Sequence, residues 1–280
     1  MVCTGVFDNP QFPKIKDFDK YVGKKMHSRD YREANKFTGK NVLVIGAGRS
    51  ASDLVLQISA VANVTSSQFP RPGETAEKRA IRLSEFGNAA IFKDGLERFT
   101  KDEVIFKDGT KAHFDMVIFA TGYRFAYPFL NSGAGMAIED HYVKPLYKQI
   151  LNINHPTMAF IGVPIFAANN HMFDLEARFA LEFITGRKRL PPKKEMLASM
   201  QNDFNSAPVK SKPHFLALDQ KRYNNDLAET AGIENMKEVY SDILADQVRT
   251  FKMDPIGFRN YDYIIHDDGK TFDKVDIRQN

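Results

Sequence analysis

Cysteine is nearly missing from this sequence. Cys3 is the only one in 280 residues. No intrachain disulfide can form, so the fold must hold through its core, and a reducing, cytoplasmic setting suits it. Nothing near Cys3 in sequence would activate its thiol, which reads as structural. Long apolar runs are also lacking. The opening MVCTGVFDNPQFPKIKDF has no h-region of a secretory signal. The nearest approach to a membrane span, MAFIGVPIFAA at 158–168, falls short of the ~18 apolar residues required. It is broken by Gly162 and Pro164 and reads as a buried strand and turn. Neither sign of charge dominates: 39 basic residues stand against 35 acidic ones, for a net +4. That excess is too small to indicate nucleic acid. The seven histidines are scattered. His171 and Asp174 lie three apart without companions, so no metal site is expected. There is no Ser/His/Asp arrangement, internal repeat or low-complexity tract.

What is present is an ordinary globular composition, 43% hydrophobic and 26% charged, enough for a sizeable core in one large or two modest domains. Residues 41–45, NVLVI, form a continuous apolar run, the pattern of a strand buried on both faces. Gly46-Ala47-Gly48-Arg49-Ser50-Ala51 follows, and then Leu54, Val55, Ile58 and Val61 recur at helical spacing. In such a turn the first glycine permits the reversal, the second admits a pyrophosphate, and Ala51 keeps helix and strand close. The helix start attracts an anion, and Ser50 can add a hydroxyl donor. A second strand is expected at 63–68, ending in Ser66, Ser67 and Gln68 without the carboxylate that NAD sites use. Arg71 follows, with Lys78 and Arg79 further on, which favours a 2′-phosphate and hence NADP. Asp108-Gly109 marks a hairpin turn, and MVIFA at 116–120 reads as another buried strand. Later, Phe173, Ala177, Ala180, Leu181 and Ile184 share a helical stripe with Gly186 as its stop. The basic tract RKRLPPKK at 187–194 reads as a solvated loop between helices.

Three ordered stretches carry a family resemblance. Residues 21–31, from Tyr21 through Gly23 and His27 to Tyr31, resemble the identifying motif of flavin-containing monooxygenases, with Tyr21 replacing the usual Phe. The turn at 46–53 is similar to that family's NADPH-binding turn. Phe119-Ala120-Thr121-Gly122-Tyr123 is similar to its FATGY motif, where the chain returns from the NADPH domain to the flavin domain. His155-Pro156 and LEARF agree with it as well.

The resemblance implies an α/β fold in which a Rossmann-like NADP-binding domain, 38–122, is inserted in a flavin domain. Residues 1–37 would be a flavin-domain remnant and linker, and 123–280 the rest of the flavin domain with a helical tail. It implies NADP(H) and FAD as cofactors, and dioxygen plus a small-molecule amine or sulfide as substrates, oxygenated through a flavin C4a-hydroperoxide. Thr121 and Gly122 would lie at a cofactor, and Cys3-Thr4-Gly5 would line the flavin site. His27 is expected to tie loops together rather than to act in catalysis. The family's first glycine fingerprint, which holds FAD, is not found before Cys3, and its active-site asparagine would lie in that same region. The chain therefore reads as an N-terminally truncated member, with an incomplete flavin lobe that is marginally stable or covered by a partner or second copy. An inactive NADP(H)-binding module is the alternative, and an unrelated NADP reductase a distant third. Some relatives attach to the endoplasmic reticulum by an apolar C-terminal tail; the polar ending TFDKVDIRQN favours a soluble protein.

Overall fold

The structure, a computed structural model, describes residues 1–68, 74–84, 86–139, 141–254 and 257–279. The chain divides into two compact units. One comprises Pro10–Tyr123 with Met253–Gly257; the other comprises Met1–Asn9, Arg124–Lys252 and Phe258–Asn280. The first is thus inserted in the sequence of the second, as the α/β reading anticipates.

The inserted unit is built on a parallel sheet. Its strands are β1 (Lys24–His27), β2 (Asn41–Ile45), β3 (Asn63–Ser67), β4 (Ile91–Lys93) and, after a small antiparallel sheet, β8 (Met116–Phe119). The spatial order is β1-β8-β2-β3-β4, and every pairing is parallel. The antiparallel sheet contains β5 (Leu96–Phe99), β6 (Val104–Phe106) and β7 (Lys111–Ala112), with Asp108-Gly109 at the hairpin turn. Helix α1 (Arg49–Ser59) crosses from β2 to β3, and α2 (Ala76–Ser84) precedes β4. The strand is apolar and buried from Val42 to Ile45 because both faces are covered there. Val42, Val44 and Ile118 pack with Ala51, Leu54, Val55 and Ile58 of α1. Leu43, Ile45, Val117 and Phe119 pack on the opposite face with Phe99, Val104 and Phe106. Each of these aliphatic side chains contributes roughly 1.5–3 kcal/mol through burial.

Residues 24–27 read in the sequence as part of a linker, yet they form the edge strand of this sheet. Two lysines open it, which suits an edge and hides a strand from any search for apolar runs. Tyr21, in place of the usual Phe, is buried, and its hydroxyl donates to the Phe114 carbonyl at 2.9 Å. The aromatic exchange is accommodated because the extra hydroxyl has an acceptor.

In the other unit the longest elements are helices. It holds two short hairpins, β9 (Ala137–Glu139) with β10 (Tyr142–Lys144) and β11 (Leu146–Tyr147) with β12 (Leu151–Asn152). Helices α3 (Asn169–Ile184), α4 (Lys193–Ser206), α5 (Gln220–Ala231) and α6 (Val239–Met253) follow, then the hairpin of β13 (Tyr261–Ile265) and β14 (Phe272–Asp276). The core joins Ile150, Leu151, Met172, Phe179, Tyr223 and Leu227. Two sequence expectations shift here. The segment 158–168 is no regular strand; it is held by isolated bridges such as Val2 to Phe160 and Ile165 to Phe215, because Gly162 and Pro164 interrupt any ladder. The buried face of α3 is Met172, Leu175, Glu176, Phe179, Ala180 and Phe183, while Leu181 is 42% exposed. The buried stripe is therefore rotated from the expected Phe173, Ala177, Ala180, Leu181 and Ile184, and it includes the polar Glu176. The helix does stop as expected, with the Gly186 amide donating to Phe183 O at 3.1 Å. Among the described residues no helix is long and apolar enough to cross a membrane, and no group of side chains is arranged to hold a metal.

Candidate functional site: a dinucleotide cradle at the sheet edge

The register of the parallel sheet lines up His27, Phe119, Ile45, Ser67 and Lys93 across its carboxyl edge. From β2 the chain moves to β3 on one side and later returns to β8 on the other. That reversal leaves a crevice above β2 and β8, the position at which open parallel sheets bind ligands. The glycine turn and the Ala120-Thr121-Gly122 segment both leave the sheet at this point.

Gly46 holds φ +138°, and a Cβ there would lie 2.3 Å from the Ala120 carbonyl oxygen. Its amide donates to Ser67 O at 3.0 Å. The turn is therefore pressed against the neighbouring strand exit and admits only glycine. Gly48 differs: its backbone is extended, and among the described residues a Cβ would meet nothing within 4 Å. It is the N-cap of α1, with no side-chain cap. A helix start of this kind presents amides and about half a unit of positive charge. Ala51 is fully buried against the strand, Ser50 is exposed, and Ala47 and Arg49 are half-buried. Nearby, the Ser67 hydroxyl is buried and has no hydrogen-bond partner among the described residues. An orphaned hydroxyl at the end of the second strand, beside open space over a glycine turn, fits a dinucleotide with its diphosphate at Gly48 and its adenosine ribose towards Ser67.

Cations gather at the end of β3. Arg79 donates to Gln68 O at 2.8 Å and pairs with Asp94. Arg82 donates to the Gln68 side chain at 2.6 Å and forks onto Glu74 at 2.7 and 3.0 Å. Arg82 was missed in the sequence, although it lies one turn beyond Arg79 on α2. Lys78 is exposed, and Arg71 lies outside the described residues.

The remaining expected residues fall in two places. Thr121 donates its hydroxyl to Gln11 O, and Gly122 O accepts the Gln11 amide at 2.9 Å, so this exit is latched to the preceding segment. His27 is 1% exposed; its Nδ1 accepts the Arg29 amide at 3.2 Å, and its ring packs edge-on to Tyr123 and Phe12. Its hydrogen bond is thus local and it reaches the other segments by ring packing, while its Nε2 is buried without a side-chain hydrogen-bond partner among the described residues. Burial lowers its pKa, so the ring stays neutral near pH 7. In the other unit, Cys3 and Gly5 line a cavity of about 240 Å³ with Ile161, Gly162, Asn169 and Phe173, and Thr4 is exposed between them. The walls are mainly apolar, as small-molecule pockets are.

Fold and site together define a dinucleotide-binding α/β protein. The sequence profile described as Flavin-binding monooxygenase-like matches residues 1–68 and 86–270. The chain belongs to that flavin-binding monooxygenase-like family. It is 33% identical to senecionine N-oxygenase of Tyria jacobaeae over 290 residues, covering 100% of this chain and 61% of that protein. It is 28% identical to flavin-containing monooxygenase FMO GS-OX4 of Arabidopsis thaliana, covering 85% of this chain and 52% of that one. Among solved structures, S-allyl-L-cysteine S-oxygenase from Allium sativum superposes with TM-score 0.77 at 25% identity, over 92% of this chain and 60% of that one. The chain thus spans between half and three-fifths of the length of these relatives.

Proposed function

We propose that this chain binds NADP(H) at the Gly46–Ala51 turn and takes part in flavin-dependent oxygenation of nitrogen or sulfur in a small molecule. The observation that carries the reading is the open space over Gly48 beside the orphaned Ser67 hydroxyl, at the reversal of the parallel sheet. The α1 amides would hold the diphosphate, and Ser67 the adenosine ribose. Arg79, with Arg82 behind it, would face a 2′-phosphate, which selects NADPH over NADH. Cys3, Gly5 and Gly162 would border the ring of FAD. Bound flavin supplies the oxidising chemistry and the pyridine nucleotide supplies hydride. The protein's task is then to orient both groups and exclude water, so no side-chain nucleophile is required. The names of the relatives, an N-oxygenase and an S-oxygenase, support tertiary amines and thioethers as the substrate class.

The purified chain tests this directly. A yellow protein that consumes NADPH with a tertiary amine or thioether supports oxygenation. Because the cradle lies wholly within Pro10–Tyr123, a module that only binds NADP(H) is the second reading. Colourless protein that still binds NADPH would favour it.

A further inference from the structure

Glu176 occupies a place where a carboxylate is costly. It sits in the middle of α3 with 0% exposure. Oε2 accepts the Gly162 amide at 2.7 Å, and Oε1 accepts the Tyr223 hydroxyl at 2.9 Å. Both partners are neutral donors. Gly162 is part of the cavity wall with Cys3 and Gly5. It is confined there: φ is +80°, and a Cβ would lie 2.9 Å from the Phe173 ring. The carboxyl therefore grips the wall from behind.

The far side of the network has a spare acceptor. The Tyr223 oxygen lies 3.2 Å from the Lys148 carbonyl. With Glu176 ionised, Tyr223 donates to it. With a proton on Oε1, Glu176 donates to Tyr223, and the tyrosine hydrogen turns to Lys148 O. Both states are fully hydrogen-bonded without displacement of a heavy atom. The grip on Gly162 changes from charge-assisted to neutral, which weakens it.

We propose that Glu176 is a positioning residue for the cavity wall, and that one proton on its Tyr223-facing oxygen sets how firmly the Gly162 segment is held. The functional consequence rests on the reading that this cavity receives the flavin ring. Burial brings the carboxyl to a pKa of about 7, against the opposing pull of its two donors. Three other charged groups bear on the network. Lys148 of the 147–150 turn pairs with Asp226 of α5 at 2.6 Å. Asp226 and Asp203 of α4 act on Tyr223, and Asp203 is itself raised to about 6 by burial.

The test follows the Gly162 amide by ¹H–¹⁵N correlation spectra of the full chain, without added ligand, across the neutral pH range. The expected result is a sigmoid with a midpoint near 7 that persists in Asp203→Asn and vanishes in Glu176→Gln. The Gln variant satisfies the same partners, accepting from Gly162 and donating to Tyr223, so it should fold. Tyr223→Phe removes a donor to the charged form and should move the midpoint upward. A flat Gly162 signal, or the same sigmoid in Glu176→Gln, would overturn the proposal, and Asp203→Asn abolishing it would assign the proton elsewhere. In parallel, FAD affinity should be greater above the transition by on the order of fivefold, and flat in the Gln variant at the low-pH value. A chain that holds no FAD at any pH would sink the flavin assignment of the cavity, while the amide titration still decides the role of Glu176.

Discussion

Replacing Glu176 by Gln should make the protein more stable, and only on the alkaline side. The carboxyl is fully buried, its ordinary pKa of 4.5 rises to about 7, and no cation compensates it among the groups that shift it. An acid whose pKa is higher folded than unfolded binds its proton more tightly in the native state. Stability contributed by the neutral form is therefore present below pH 4.5 and is lost as pH rises towards about 7. At about 1.4 kcal/mol for each tenfold change in proton affinity, the loss amounts to about 3 kcal/mol. Glutamine keeps the shape and both hydrogen bonds and never ionises. Urea unfolding of wild type and Glu176→Gln at matched pH values measures the difference. The gap should open between about pH 4.5 and 7 and hold level above that range. The comparison also cancels His214, whose linkage runs the other way. Burial lowers that ring to about 3, so the native state disfavours its charged form, and stability falls as pH drops below about 6.5. Parallel pH profiles for the two proteins would refute the reasoning about Glu176.

Gly46→Ala should be severely destabilising, because its Cβ would press on the Ala120 carbonyl in a backbone conformation closed to alanine; thermal unfolding should show a lowered Tm, and a Tm near wild type would contradict the tight turn. His214→Phe leaves the Val143 amide, now bonded to Nε2 at 3.0 Å, without an acceptor. Chemical denaturation should register a loss of about 1–3 kcal/mol. Arg79→Ala should weaken NADPH binding by roughly tenfold or more while sparing NADH, and equal losses for both nucleotides would argue against a 2′-phosphate contact.

The parts of the fold legible in the sequence are those whose signal is local. Residues 41–51 announce strand, turn and helix because a strand buried on both faces is apolar at every position, and a turn against a neighbouring backbone needs glycine. The hairpin at Asp108-Gly109 is similarly self-contained. The motif at 21–31 pointed to the family but not to its own strand: Lys24, Lys25 and His27 become a strand only by pairing with β8, roughly 90 residues later. Nothing local marked Glu176 as buried, because its partners, Gly162 and Tyr223, lie on other elements. Arg82 drew no notice because Glu74 and Gln68, which fix it, have no local pattern. Gly162 read as a strand breaker, and the cavity it borders arises from segments more than 150 residues apart.

The central claim concerns the space above Gly48, and one substitution addresses it. Gly48 has an extended backbone that valine can adopt, and no atom of the described residues lies within 4 Å of a Cβ placed there. Gly48→Val should therefore fold, with a Tm somewhat below wild type because valine is a poorer N-cap of α1 than glycine. Calorimetric titration with NADPH should show binding to the wild-type chain and a loss on the order of a hundredfold or more in the variant, since the added methyls occupy the diphosphate's place. Unchanged affinity in a folded Gly48→Val chain would contradict the cradle.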